Sequence, residues 1–488
     1  MKMISKWTAV WIGAATTVAT LGCGGDAAVQ HATSQAVSIG SGGQGDSLVH
    51  PDWSKNATIY EVNIRQHTAE GTFAAFERDI PRLQELGVDI LWLMPIHPIG
   101  EVNRKGGENA NNYIAEPGSG SLGSPYSAKD YLAVNPDYGT LEDLKQLVAT
   151  AHSHGMKVIL DWVANHTAFD SKWTEDHHAF FLLDSAGELQ PPLGTDWWDV
   201  TQLDWENGKE NGLYEAMEDA LDFWVREADI DGYRCDVAMK VPTDFWEQAR
   251  RSLEEIKPDV FMLAEAEEPE HHNRAFDMSY AWHLHHIYNQ IASAKYPLDS
   301  LRDYLAHETS RFGTDAYRMS FVTNHDENSW NGTIAERMGD NADAMTVLAG
   351  TLIGMPLIYS GQEAGLNKRL RFFEKDTVEW GNYSRTAFYQ TINRLNHEQE
   401  VLWNGAAGAF PVEIETEFPE VVFAYSRTSD DATSQIITAI NLSEQPLTIS
   451  LPLDPAIHQL EMGSQSADLA PASAITLPEH GFGVWSKK

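Results

Sequence analysis

Three acidic residues stand where short apolar runs end. Asp236 follows Gly232-Tyr233-Arg234-Cys235, Glu265 follows Phe261-Met262-Leu263-Ala264, and Asp326 follows Phe321-Val322-Thr323-Asn324-His325. Two carboxyl groups facing one cleft can divide the work of nucleophile and proton donor. Retaining glycosidases do so with the two groups about 5–5.5 Å apart. Arg234 lies two residues before Asp236, on the same side of a strand, where its guanidinium would hold Asp236 ionised and orient it. Glu265 ends an apolar run, a poorly solvated setting that raises a carboxyl pKa and suits a proton donor. One acidic strand end alone reads as a helix cap or a surface charge. Three in succession, with Arg234, His166 and His325 among them, read as a site.

Such groups need a scaffold that gathers strand ends. Apolar runs at 57–64, 88–94, 157–162, 230–236, 260–265, 318–324 and 356–360 alternate with amphipathic stretches such as 73–86, 141–154 and 213–227. Repeated βα units imply a parallel sheet, and about eight of them a closed (β/α)8 TIM barrel with reactive groups at the C-terminal strand ends. Past residue 402 the pattern is strands only, at 421–426, 435–441, 447–451 and 481–485. The expected fold is therefore an α/β barrel over 51–401 with a C-terminal antiparallel β-sandwich over 402–488. An apolar fraction of 42%, with 16 Trp, 16 Tyr and 18 Phe, excludes disorder across the chain. A formal net charge of −37 speaks against nucleic acid as a partner.

The first residues read as a targeting segment. Lys2 and Lys6 precede a mostly apolar or small run from Trp7 to Leu21, too short to span a bilayer comfortably. Thr20-Leu21-Gly22-Cys23-Gly24-Gly25 resembles a bacterial lipoprotein cleavage site, with Thr20 where Leu is usual. That reading makes Cys23 a lipid-bearing N-terminus on a flexible tether, 23–50, and places the protein in the cell envelope. The alternative is ordinary secretion, periplasmic or beyond, with an incidental cysteine. Removing residues 1–22 takes away two lysines and shifts the charge from −37 to −39. The only other cysteine is Cys235, so lipidation of Cys23 leaves no intramolecular disulfide.

Four stretches occur in order: Asp161-Trp162-Val163-Ala164-Asn165-His166, Gly232 to Asp236, Glu265 after its apolar run, and Phe321 to Asp326. Together they resemble the conserved regions of the α-amylase family, glycoside hydrolase family 13, over about residues 55 to 400. The resemblance implies a barrel with an excursion after strand three, here short at about 167–212, and a C-terminal β-domain. It implies Asp236 as nucleophile, Glu265 as acid and base, and Asp326 as the residue that binds and distorts the sugar. His166, Arg234 and His325 would contact that sugar, and Tyr126 in Ser124-Pro125-Tyr126 would stack on it. A packed loop aromatic is the alternative for Tyr126.

Departures from the family pattern bear on metal and substrate. Many members bind structural calcium through the Asn matching Asn165, an Asp in the excursion and a backbone carbonyl after the nucleophile. Here Gln202 stands at that Asp, and Met239 and Lys240 replace a Lys-His pair. A neutral amide weakens a site for a hard cation, so no firmly bound calcium is expected and Asn165 reads as a turn residue. The 106–123 loop looks longer than usual and would lie beside the cleft. Trp197, Trp198 and Trp330 are candidate sugar platforms, packing being the alternative for each, and the charged 369–376 stretch could reach distal sugars. His283, His285 and His286 have a spacing that fits packing better than a metal.

Three functional readings follow. The first is a lipid-anchored hydrolase of α-1,4-glucans such as starch or maltooligosaccharides. The second keeps the residues but is a maltogenic or cyclodextrin-degrading enzyme, an α-glucosidase or a glucanotransferase. The third is a glucan-binding lipoprotein without activity, against which the intact Asp236, Glu265 and Asp326 argue.

Overall fold

Eight parallel strands close into a barrel in sequential order: β1 (Ile59–Val62), β2 (Ile90–Leu93), β3 (Lys157–Trp162), β4 (Gly232–Cys235), β5 (Phe261–Ala264), β6 (Met278–Tyr280), β7 (Tyr317–Ser320) and β8 (Met355–Tyr359). The computed structural model describes residues 48–106, 120–464 and 474–488. The leader over 1–22, Cys23, the tether up to residue 47 and most of the 106–123 loop lie outside these. No helix among the described residues is long and apolar enough to cross a membrane.

Alternate side chains on each strand divide between two apolar layers. Ile59, Ile90, Trp92, Ile159 and Leu263 fill the barrel, while Tyr60, Leu91, Val158, Leu160 and Met262 pack outward with the helices. Burial on both faces is why these strands read as continuous apolar runs. The same period of two carries polar groups inward. Glu61 is two residues past Ile59, Asp161 is two past Ile159, and Asp161 pairs with Arg234 across β3 and β4. Gly232 opens β4 at φ 148°, and a Cβ there would lie 1.8 Å from the Phe261 carbonyl oxygen. Only glycine fits that approach.

Two sequence expectations change inside the barrel. The stretch 73–86 forms two helices, Phe73–Glu77 and Ile80–Leu86. Pro81 has no N–H to bond back to Glu77, so a single helix cannot run through. Strand β6 went unread because Met278-Ser279-Tyr280 is too short to show a period. After β3 the chain makes an antiparallel pair, His166–Ala168 with Val200–Gln202, and then the helix Leu213–Ala228.

The C-terminal region holds β9 (Val412–Glu413), β10 (Val422–Thr428), β11 (Gln435–Asn441), β12 (Leu447–Ser450), β13 (His458–Gly463), β14 (Ala474–Leu477) and β15 (Phe482–Lys487). Five form one sheet in the order β9-β10-β11-β15-β13, and β12 pairs with β14. Val422, Ala424, Ile437 and Trp485 share an apolar cluster with Ile449 and Ile475 of the smaller sheet. Phe423, Tyr425 and Ile440, on the other face, pack with Leu284, Met345 and Leu348 of the barrel helices. Strands β9, β13 and β14 were not anticipated; β9 has only two residues, and in β13 only His458 is fully buried.

Candidate active site

The ends of β3, β4 and β5 meet on one guanidinium. Arg234, fully buried, donates from Nη1 to Asp161 Oδ1 at 2.8 Å and to Asp236 Oδ1 at 3.0 Å. Its Nη2 lies 2.8 Å from Glu265 Oε2, an ion contact rather than an aligned hydrogen bond. Nε donates to the Tyr280 hydroxyl at 3.1 Å, and the rings of Trp92 and Tyr126 face the cation at 5.0 and 5.8 Å. Glu265 Oε2 also accepts the Val237 amide at 2.9 Å. Val237 sits at φ 38°, an uncommon conformation for a β-branched residue that costs on the order of 1–3 kcal/mol. That strain turns the chain after Asp236 so that its amide faces Glu265.

A second set of bonds ties the β3 end to β1 and β7. Tyr126 donates its hydroxyl to Asp161 Oδ2 at 2.9 Å and lies 2.8 Å from His325 Nε2. The Tyr126 and His325 rings stack 5.3 Å apart at 18°. His325 Nδ1 bonds to the buried Glu61 carboxylate. Burial disfavours a charged His325, but the Asp326 and Glu61 carboxylates outweigh it and push its pKa up to about 9. His166 lacks such neighbours, and burial takes it down to about 3. The two imidazoles are thus shifted in opposite directions, His325 up and His166 down.

The carboxylates shift too. Burial raises Glu265, and Arg234 only partly offsets this. Asp236 is raised further, first by burial and then by the Glu265 charge, with Arg234 acting in the opposite sense. Arg234 thus acts on Asp236 in the expected, ionising sense, while burial and the Glu265 charge act against it. Burial raises both carboxyls of the pair, and one guanidinium divided among three carboxylates only partly offsets it.

The remaining sequence candidates fall in several places. Asp326 has a 37% exposed side chain, with Oδ1 accepting from Trp330 Nε1 at 3.2 Å. Trp197 lies against His166 at 5.5 Å, and Trp198 covers Lys105, whose Nζ donates to the Asp196 carbonyl at 2.7 Å. Within the 369–376 stretch, Phe372 reaches both Tyr126 and Trp330. His283, His285 and His286 lie on the helix Trp282–Ala292, where His285 bonds to the Phe321 carbonyl at 3.0 Å and approaches Glu327 at 3.2 Å. Cys235 is buried and, among the described residues, unpaired.

The calcium site implied by the family resemblance does not fit the residues around Asn165. Gln202 Nε2 donates to the Asn165 carbonyl at 3.1 Å, to Asn165 Oδ1 at 3.0 Å and to the Leu203 carbonyl at 3.0 Å. An N–H donor occupies the oxygens that a hard cation would need, and the neutral Gln202 amide stands where a carboxylate would be required.

A family model described as alpha amylase, catalytic domain, matches residues 54–412 of the 488. The chain belongs to the alpha-amylase family. Members of this family act as glycosidases or transferases, and the barrel with its C-terminal sheet matches their architecture. The chain is 26% identical over 422 residues to alpha-amylase MalA of Haloarcula japonica, covering 82% of this chain and 58% of that protein. It is 27% identical over 430 residues to an alpha-1,4-glucan:maltose-1-phosphate maltosyltransferase of Salinibacter ruber, covering 81% and 61%. The chain thus spans only about three fifths of these curated relatives. Among solved structures, an alpha-amylase from Lactobacillus plantarum superposes with a TM-score of 0.74 at 30% identity, covering 88% of this chain and 99% of that one. A noncanonic maltogenic alpha-amylase, AmyB from Thermotoga neapolitana, gives 0.72 at 27%, covering 89% and 97%.

Sequence reasoning gave no role to several residues that build this site: Glu61, Trp92, Asp161, Val237 and Tyr280. Glu61 and Asp161 carried a usable signal, an acidic residue at an inward position of a buried strand. Val237 carried none, because its positive φ is imposed by its surroundings.

Proposed function

We propose that this protein is a retaining glycoside hydrolase that cleaves α-1,4-glucosidic bonds of starch-like glucans or maltooligosaccharides. The observation that carries the reading is the single Arg234 guanidinium holding both Asp236 and Glu265. Such sharing supports the separation of about 5–5.5 Å used for retention over the ~6.5–9.5 Å that an inverting enzyme needs for its water. A proton held jointly by the pair sits on Glu265 once the glycosidic oxygen is there to accept it. Asp236 then attacks the anomeric carbon, the bond to the leaving oxygen breaks, and the Glu265 proton goes to that oxygen. In the second half Glu265 takes a proton from water, whose oxygen attacks the same carbon and displaces Asp236. Asp326 and the cationic His325 hydrogen-bond the sugar hydroxyls, Tyr126 stacks on its ring, and neutral His166 adds a bond.

Family relatives support a second reading on the same residues. The maltosyltransferase of Salinibacter ruber and the maltogenic enzyme of Thermotoga neapolitana carry names for transfer and for short products. A sugar hydroxyl in place of water would turn the second half-reaction into transfer. Export with Cys23 acylated belongs to the proposal and rests on the pattern of residues 1–23.

The test is a time course of products from soluble starch, β-cyclodextrin and maltotriose, with Asp236→Asn as control. Early mixed oligosaccharides from starch, absent in the control, are expected. Faster loss of cyclodextrin or maltotriose moves the assignment to the short-substrate branch. Binding without cleavage of any of them overturns the enzymatic reading.

A further inference from the structure

Residues Glu327–Asn331 form a π turn directly after Asp326. Such turns are rare and concentrate at functional sites. This one leaves the Trp330 ring 40% exposed while returning its Nε1 to Asp326 Oδ1 at 3.2 Å. Half-buried Phe372 packs on Trp330 with centroids 5.1 Å apart and lies nearly parallel to Tyr126 at 6.0 Å and 16°. Tyr126, Phe372 and Trp330 thus make one aromatic row running from the site toward solvent.

Hydrogen bonds fasten the segments that carry the row. Arg65 Nη2 donates to the Phe372 carbonyl at 2.7 Å, and the Leu122 amide donates to the Phe373 carbonyl at 2.9 Å. Ser329 Oγ donates to the Leu370 carbonyl at 2.8 Å, and the Leu370 amide to Asn328 Oδ1 at 2.8 Å. The part of the indole left exposed adds nothing to folding by burial, so stability does not account for presenting that part of the ring beside Asp326. Preorganised aromatic surface is what a sugar face packs on.

We propose that Trp330 positions Asp326, and that Trp330 with Phe372 forms the platform for the glucosyl unit adjoining the one held by Asp326 and Tyr126. This rests on the α-glucan reading above. A sugar covering the platform excludes water from the bond between the indole N–H and the Asp326 carboxylate, which strengthens it. Occupancy of the platform is thereby coupled to the geometry of Asp326. Longer substrates gain in kcat and not only in KM, because remote binding energy is expressed at the reacting sugar.

The experiment measures kcat and KM for 4-nitrophenyl α-glucoside, which fills one glucosyl position, and for maltose to maltotetraose. Variants are Trp330→Phe, which keeps a ring and loses the N–H, and Trp330→Leu, which loses both. Trp330→Phe is expected to lower kcat on maltotetraose about 10-fold, as loss of one bond to a charged group does, with KM moved less than about 3-fold. Trp330→Leu lowers kcat/KM on maltotetraose about 10-fold more, and the gap between the variants narrows as the substrate shortens. A loss of fold would hit every substrate equally, and melting curves check it directly. Wild-type kcat in Trp330→Phe overturns the positioning role. Equal losses in Trp330→Leu at all lengths overturn the platform. A wild-type protein that cleaves no α-glucan overturns the underlying reading instead.

Discussion

Two buried arginine clusters sit in this barrel and do opposite things to their carboxylates. Beside the start of β6, Arg250 donates to Asp277 at 2.6 Å and Glu254 at 2.8 Å, while His50 and the Met262 amide complete Asp277 at 2.9 and 2.8 Å. Burial alone would raise Asp277, but Arg250 and His50 outweigh it and hold it below the usual range. Asp231, before β4, behaves likewise: burial opposes its charge, and His152, Lys257 and the Val158 amide still bring it to about 2. At the C-terminal strand ends one guanidinium serves Asp161, Asp236 and Glu265, and the last two are raised. All four carboxylates are buried, Asp231 and Asp277 the more deeply, so the ratio of donors to carboxylates decides the sign. A surplus of cations and amides makes a strut, and a surplus of carboxylates leaves protons to move.

Glu265→Gln and Asp277→Asn separate the two clusters most sharply. The first should lower kcat/KM ~10²–10⁴-fold by removing the proton donor, with a melting temperature not below wild type, because a destabilised buried charge is gone. The second removes the fully buried partner of Arg250 and leaves it only the less buried Glu254, which should cost about 3–5 kcal/mol in urea unfolding, with activity per folded molecule retained. Equal losses of stability in both would end the contrast.

A smaller effect lies in the pH dependence of Asp231. Its folded pKa is depressed, so its contribution is present above the unfolded value and is lost as pH falls toward about 2. Asp231→Asn should therefore remove about 2 kcal/mol at pH 7 and little near pH 2. Urea midpoints at the two pH values measure this. The sign is reversed for Asp236 and Glu265, whose raised values make the fold lose stability as pH rises through them.

The smallest effect concerns the Asn165 loop. With Gln202 donating to its oxygens, a chelator should move the melting temperature by less than about 1 °C, while Gln202→Asp should create a calcium-dependent rise. A large loss of stability on chelation of the wild-type protein would show that a cation can displace the amide.

Much of this was legible along the chain. Asp236, Glu265, Asp326, Arg234 and the two histidines are confined to their types by chemistry, and Gly232 by a carbonyl that leaves no room for a Cβ. Barrel strands buried on both faces announce themselves as apolar runs, whereas β6 is too short and the edge strands of the C-terminal sheet too polar to do so. Sequence alone thus determined which residue types stand at the strand ends and that a barrel would carry them. Only the tertiary structure decided how many carboxylates share Arg234, that Glu61 joins Asp326 in raising His325, and that Trp330 turns back onto Asp326. Those are sums over charges and donors drawn from distant parts of the chain, and electrostatics depends on separation in space, which sequence order does not contain.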